Sequence, residues 1–471
     1  MKLQFLGAAK QVTGSMYLLT LDSGYKILVD CGMDYEMKRN PTERDYIFPF
    51  EPVDIDLVLL THAHIDHSGN LPALVHLGFM GNILSTPATA DLTSYLLYDS
   101  ANIQFHEYRK GLSQSKKTKR HLVPKPLYIE KQVKECMDRF VTVNFDKTFV
   151  VNENLKITFV EAGHLLGAAS ILLEITEKGQ TKTIGFSGDL GRSNSKLVRD
   201  GQLFKKVDYL ICESTYGGRK HKVERSAEDE MLDYITQTCV NHRGRLVIPA
   251  FSVGRTQSVV FTINQLKKQG LIPSHLKVFV DSPLAVKTTG IYQRYSDILN
   301  EEAQNFMEEH GSLFEFEGAE YLDSMDEHDE LLHYYDPCVI ISAAGMVEGG
   351  RIQEHVSNNI ENHFSTILIA GFCAEGTLGH RLLLGQSLIR IKNRDKRVFA
   401  KIAQTDVFSS HPDHDEVFNY INKTIKPNTN ETVFLIHGEE TQLSAMKNAL
   451  HEVGINSVEI PDMMQEYIQK Y

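Results

Sequence analysis

The segment Thr61-His62-Ala63-His64-Ile65-Asp66-His67 puts four groups able to ligate a transition metal within six residues. Imidazole and carboxylate suit zinc, which holds nitrogen at about 2.0–2.1 Å and carboxylate oxygen at about 2.0–2.2 Å. A regular strand alternates its side chains between two faces and cannot aim all four at one ion. A loop at a strand end can splay them, so that His62 and His64 face one metal while Asp66 and His67 face another. A lone histidine is usually structural; three with an aspartate at this spacing are not. Three later segments repeat the context of an apolar run, a ligand-type residue and an adjacent glycine. They are Ala162-Gly163-His164-Leu165-Leu166-Gly167, Phe186-Ser187-Gly188-Asp189-Leu190-Gly191 and Leu435-Ile436-His437-Gly438-Glu439. Asp189 suits a bridging carboxylate, and the glycines permit close backbone approach.

Two other turns suit an anion. Ser252, Gly254 and Arg255 lie between an apolar run and a helical pattern, where a helix N-terminus favours negative charge. Gly345, Gly349 and Gly350 surround Met346 and lead to Arg351, offering backbone N–H groups and a guanidinium fork. Ser252, Gly254, Arg255, Gly345, Gly350 and Arg351 are therefore the expected phosphate-binding set. The stretch His106 to Lys125 carries seven basic residues and one acid. It reads either as a solvated loop or as a phosphate-attracting rim.

These residues need strands to end where they begin. Leu3–Leu6, Met16–Leu21, Tyr25–Asp30, Ile157–Glu161, Ser170–Thr176, Lys182–Ser187 and Asp208–Cys212 are strand-like, and Asp22-Ser23-Gly24 signals a hairpin. Leu57–Leu60 is short and wholly apolar, as in a strand buried on both faces. Helical patterns fall near Thr89–Ile103 and Ile129–Phe140, giving two sheets with helices outside. From about Arg219 apolar runs at Leu246–Pro249, Lys277–Val280, Val339–Ser342 and Ile367–Ala370 alternate with helical patterns such as Thr256–Gln269. That rhythm predicts a parallel, doubly wound α/β domain. Strands resume at Val398–Gln404 and Thr432–Ile436. The expected organisation is a first domain over 1–215, an inserted domain over 216–396, and the first domain completed over 397–471.

A length of 471 residues suggests two or three domains at about 100–200 residues each. Hydrophobic residues make up 42% and charged residues 23%, which excludes a disordered or fibrous chain. No run approaches the roughly 18 apolar residues of a membrane span, and MKLQFLGAAKQ lacks a signal-peptide core. The six cysteines form no close pairs, as expected of reduced thiols in a cytoplasmic protein. The net charge of −12 is local: Asp297 to Asp336 holds fourteen acids and no Lys or Arg, leaving 49 basic against 47 acidic residues elsewhere. Repulsion of a polyanion from a distant basic cleft is screened within about 8–10 Å.

HAHIDH, GHLLGA, FSGDLG and the late strand-His-Gly resemble the metallo-β-lactamase superfamily. Further segments resemble its β-CASP branch of nucleic-acid-processing metallo-hydrolases: Glu213-Ser214-Thr215-Tyr216-Gly217, Pro249 to Gln257, Ser342 to Met346 with Gly349-Gly350-Arg351, and Ser409-Ser410-His411. The opening Gly7 to Ser15 resembles the group around the endonuclease subunit of the pre-mRNA cleavage and polyadenylation factor. The resemblance spans nearly the whole chain. It implies an αββα sandwich with an inserted parallel-sheet α/β (β-CASP) domain.

The resemblance also implies two zinc ions per chain. It assigns His62, His64 and His164 to one and Asp66, His67 and His437 to the other, with Asp189 as bridge. Asp30 matches a carboxylate that orients the ligand loop. Glu213 and His411 match motifs A and B. His437 matches motif C, where histidine is the RNA-type choice and valine is typical of the DNA-processing branch. Together with Asp66 they imply attack by a hydroxide held between two metals, with His411 as general acid supported by Glu213; His414 is the competing donor. The expected function is a zinc-dependent ribonuclease acting on single-stranded RNA in processing or decay, leaving 5′-phosphate and 3′-hydroxyl ends. Rival readings are hydrolysis of DNA or a small-molecule ester, and a non-catalytic RNA-binding subunit. No appended RNA-binding domain is expected, and the acidic 297–336 stretch is left open as a homodimer surface or a solvated face.

Overall fold

The computed structural model describes residues 1–34, 48–118, 123–428 and 430–468. The chain divides into two compact units. The first comprises Met1–Ser193, Asp200–Lys220 and His411–Tyr471, and the second Asn194–Arg199 and His221–Ser410.

The first unit stacks two seven-stranded sheets. One runs in the order Glu466–Ile468, Lys2–Phe5, Tyr17–Thr20, Lys26–Val29, Leu57–Leu59, Asn82–Ser85, Phe140–Thr142. The other runs Val458–Glu459, Thr432–Ile436, Tyr209–Glu213, Gln180–Phe186, Ala169–Glu177, Leu155–Glu161, Thr148–Asn152. Alternate residues of both sheets, among them Phe5, Leu19, Ile27, Phe159, Ile171, Phe186 and Phe434, interlock as the core between them. The opposite faces are covered by helices. Leu28, Val58 and Ile83 pack with Leu71, Leu74, Leu97 and Val133 on one side. Leu210, Cys212 and Val433 pack with Val417, Ile421, Leu443 and Met446 on the other. This is the αββα arrangement, and all six cysteines are buried and free.

Parallel pairing decides where the functional residues fall, because it brings strand ends of the same polarity together. Lys26–Val29 pairs parallel with Leu57–Leu59, and Tyr209–Glu213 with both Gln180–Phe186 and Thr432–Ile436. The loops at these C-terminal ends carry Asp30, the 61–67 segment, Asp189 and His437, and Glu213 is the last residue of its strand. Asp30 and His437, each one residue past its strand, adopt φ of 57° and 49°. Such left-handed backbone is uncommon outside glycine, and it turns both side chains at the strand exits.

The second unit is built on six strands, Ala319–Leu322, Lys277–Asp281, Cys338–Ser342, Arg245–Pro249, Thr366–Ile369 and Lys401–Gln404, in that spatial order. Every pairing among them is parallel. Two expectations need correction. Lys401–Gln404 was expected to reopen the first domain, but it pairs with Thr366–Ile369 and belongs to the second unit, which ends at Ser410. The basic stretch from His106, for which a solvated loop and a phosphate-attracting rim are the two readings, is not a loop as far as Thr118, where the helix Pro87–Thr118 ends; residues 119–122 of that stretch lie outside the described residues.

Candidate metal centre

The short helix Ile65–Ser68 follows strand Leu57–Leu59 after a five-residue turn and splays the ligand loop. His62 Nε2 and His164 Nε2 approach His64 Nδ1 at 3.1 and 3.2 Å. Asp189 Oδ2 lies 3.5 Å from His62 Nε2 and 3.7 Å from His164 Nε2. A second group is formed by Asp66, His67 and His437. His67 Nε2 lies 3.2 Å from Asp189 Oδ1, and His437 Nε2 lies 3.7 Å from Asp66 Oδ2. Asp189 thus offers one carboxylate oxygen to each group.

Two glycines permit this convergence. A Cβ on Gly191 would sit 1.8 Å from the Gly163 carbonyl oxygen, so the His164 and Asp189 loops can touch only through glycine. A Cβ on Gly32 would sit 1.6 Å from the Asp66 carbonyl oxygen, which is how the Asp30 turn seats beneath the ligand loop. Asp30 accepts from the Thr61 N–H and hydroxyl, both at 2.8 Å, and from His67 Nδ1 at 2.7 Å. His67 is thereby left with Nε2 turned toward Asp189. His164 is fixed likewise, with Nδ1 donating to the Leu190 carbonyl at 3.3 Å.

The electrostatics fit a cation. Burial, reinforced by neighbouring imidazoles, holds His62 and His164 well below the ordinary histidine value and carries His64 down to about 4, which leaves these rings neutral and able to accept a cation. Burial opposes charge on Asp66 and Asp189 too, yet the surrounding histidines outweigh it and hold Asp66 at about 2 and Asp189 well below the carboxylate range. Burial also opposes charge on His67, but Asp189 and Asp30 overcome it and raise that ring. Asp189 Oδ1 and His437 Nε2 are buried with no hydrogen-bond partner in the protein. Buried polar atoms are otherwise almost always paired, and a divalent metal would satisfy both.

Beside the ligands, His411 Nδ1 lies 3.1 Å from Glu213 Oε1 and its Nε2 lies 3.9 Å from Asp189 Oδ2. Glu213 is fully buried and also accepts from the Leu190 N–H at 2.7 Å. Burial disfavours the His411 imidazolium, but Glu213 and then Asp189 outweigh it and raise the ring to about 9. His414 instead bonds the Gly217 carbonyl and stacks on Phe418.

Within the second unit, Pro249 pairs with Ser342, so the turns after these two strands are neighbours. Ser252 and Gly254 occupy one turn, Arg255 opens the helix Arg255–Lys268 that follows it, and Gly345 and Gly350 occupy the other turn. Gly345 lies against Phe251, whose ring has the Arg255 guanidinium 4.9 Å above it. Arg351 departs from its expected role as an open fork. Its Nη1 donates to Asp281 Oδ1 at 2.7 Å and to the Leu322 carbonyl, and its Nη2 to the Asp323 carbonyl at 3.0 Å. Asp281 Oδ2 also takes His328 Nδ1 and His355 Nε2, each at 2.5 Å. Asp281 is thus the shared acceptor of this cluster, and His328 Nε2 reaches on to Glu354 Oε2 at 3.3 Å.

Family models match along the chain: the metallo-beta-lactamase superfamily over residues 9–143, the Beta-Casp domain over 256–382, and the Zn-dependent metallo-hydrolase RNA specificity domain over 395–461. The chain belongs to the β-CASP branch of the metallo-β-lactamase superfamily. Relatives align over most of its length. Ribonuclease TTHA0252 of Thermus thermophilus is 28% identical, covering 96% of both chains. Transcription termination factor FttA of Methanocaldococcus jannaschii is 29% identical over 94% of this chain and 67% of its own. Endoribonuclease YSH1 of Kluyveromyces lactis is 26% identical over 94% of this chain and 56% of its own. A crystal structure of a protein of unknown function from Enterococcus faecalis shares the fold, with a TM-score of 0.55 and 14% identity over 99% of each chain.

The hydroxyls of Thr61, Thr215 and Ser15 also meet the clustered imidazoles, a role their place in the sequence motifs does not assign. Thr61 Oγ1 lies 3.1 Å from His62 Nδ1, Thr215 Oγ1 lies 3.0 Å from His437 Nδ1, and Ser15 Oγ lies 3.3 Å from His67 Nε2. Adjacency to motif residues was the available signal for Thr61 and Thr215, since a hydroxyl has no periodicity of its own; Ser15 had none beyond ending the Gly7 to Ser15 segment.

Proposed function

We propose that this chain is a zinc-dependent ribonuclease that hydrolyses phosphodiester bonds of single-stranded RNA in cytoplasmic RNA processing or decay. The metal-ligand set would hold two zinc ions, through His62, His64 and His164 on one side, Asp66, His67 and His437 on the other, and Asp189 between. When bound, such a pair supplies Lewis acidity and lowers the pKa of water from 15.7 to about 7. The protein itself supplies the proton. His411 Nε2 faces the metal-ligand cluster, so an imidazolium there can donate to the departing 3′-oxygen while Glu213 accepts from Nδ1 and fixes the ring. That proton leaves a 3′-hydroxyl, and the 5′-phosphate remains on the other product.

The observation that carries this reading is the His411–Glu213 pair. A hydrolase acting on an ester with a good leaving group has little use for a proton donor; a phosphodiester alkoxide has a great deal. Ribonuclease and endoribonuclease names among the relatives, and the RNA specificity domain match, support RNA as the substrate. Single strands of RNA and DNA with matched sequence, incubated with zinc-loaded protein, test the substrate assignment. RNA is expected to be cut and DNA spared, with Asp189→Ala inactive on both. Faster cleavage of DNA would overturn the assignment.

A further inference from the structure

Thr215 touches both halves of the chemistry. Its Oγ1 lies 2.6 Å from Glu213 Oε2 and 3.0 Å from His437 Nδ1. A hydroxyl has one proton to give, and a carboxylate oxygen is the stronger acceptor, so the shorter contact takes it. The Thr215 oxygen then receives Nδ1–H from His437. That fixes the His437 tautomer, leaving Nε2 bare, buried and without a partner in the protein, 3.7 Å from Asp66 Oδ2. The other Glu213 oxygen meanwhile holds His411 Nδ1 at 3.1 Å. Thr61 repeats the device in the facing sheet, donating to Asp30 Oδ2 at 2.8 Å and standing 3.1 Å from His62 Nδ1.

We infer that Thr215 is a positioning residue whose single hydroxyl sets both the metal-facing tautomer of His437 and the orientation of Glu213 behind His411. Metal affinity and proton delivery are thereby tied to one atom. The inference rests on the proposed ribonuclease chemistry for its kinetic half and on the ligand geometry alone for its metal half.

The test uses Thr215→Val, which keeps the shape without the hydroxyl, and Thr215→Ser, which keeps the hydroxyl without the methyl group; Thr215→Ala replaces valine if that variant does not fold. Zinc affinity is read without RNA, by competition with a chromophoric chelator. The values of kcat and KM for single-stranded RNA are read at saturating zinc. Thr215→Val is expected to lose about 10–100-fold in affinity for one of two zinc ions, the usual effect of removing a partner behind a ligand. It is also expected to retain KM and lose kcat after zinc is restored, and Thr215→Ser to recover both. Unchanged zinc affinity, or full kcat once zinc saturates, overturns the inference. Wild-type protein that binds zinc but leaves RNA intact would sink the ribonuclease reading while the chelator measurement still decides the metal half.

Discussion

His411 and Glu213 make a pair whose charge state can be followed. Burial works against the imidazolium, but Glu213 and Asp189 raise His411 to about 9. A group raised above its ordinary value keeps its proton through neutral pH and loses it as pH climbs through the raised value. Cleavage should accordingly fall on the alkaline side, and Glu213→Gln should shift that limb to lower pH while slowing the reaction. A pH–rate profile checks this, and an unmoved limb would mean that another acid serves the leaving group. The metal ligands run the opposite way. His64 sits at about 4, with His62 and His164 also depressed, so zinc retention should persist below the ~6.5 of a free imidazole. Metal analysis after dialysis through descending pH measures it, and stoichiometric loss already near neutrality would contradict the account. The clustered histidines and aspartates were legible in the sequence because imidazoles and carboxylates gather in so few contexts. The hydroxyls of Thr61 and Thr215 were not, because only the tertiary fold shows which imidazole nitrogen each one meets.

Strand ends do the positioning, and close backbone contacts keep the loops together. Gly191→Ala would force a methyl group against the Gly163 carbonyl. Overpacking of this kind costs about 1–3 kcal/mol, so the variant should melt lower and hold zinc more weakly; wild-type melting and zinc affinity would show that the loops are not tightly apposed. In the second unit Asp281 holds Arg351, His328 and His355. Burial opposes its charge, but His355, His328 and Arg351 outweigh this and bring it to about 2. Asp281→Ala would leave the buried partners unmatched at about 3–5 kcal/mol, measurable by urea unfolding, whereas a loss below about 1 kcal/mol would show the cluster to be dispensable. Apolar runs leading into ligands made most strands readable in advance. Two elements misled for physical reasons. Lys and Arg form helices well without an apolar stripe, so Pro87–Thr118 looked shorter than it is. The partner of a strand is a non-local choice, so nothing local in Lys401–Gln404 assigns it to the second unit's sheet.

The molecule divides its acidity and its chemistry. The stretch holding fourteen acids falls entirely within the second unit, and no helix among the described residues is long and apolar enough to cross a membrane. With imidazoles and carboxylates buried together in this way, bound metal should act as a folding ligand as well as a cofactor. Chelation should therefore abolish cleavage and lower the melting temperature together, with zinc restoring both; a chelated protein with unchanged melting would detach the ligand cluster from stability. The most direct test of the central claim, that His411 delivers a proton within a metal-dependent nuclease site, compares an ordinary RNA linkage with one whose bridging 3′-oxygen is sulfur. A thiolate leaves without protonation. His411→Ala should slow the ordinary linkage by about 10²–10⁴-fold and leave the sulfur linkage nearly untouched. Equal slowing of both linkages, or of neither, would contradict the account.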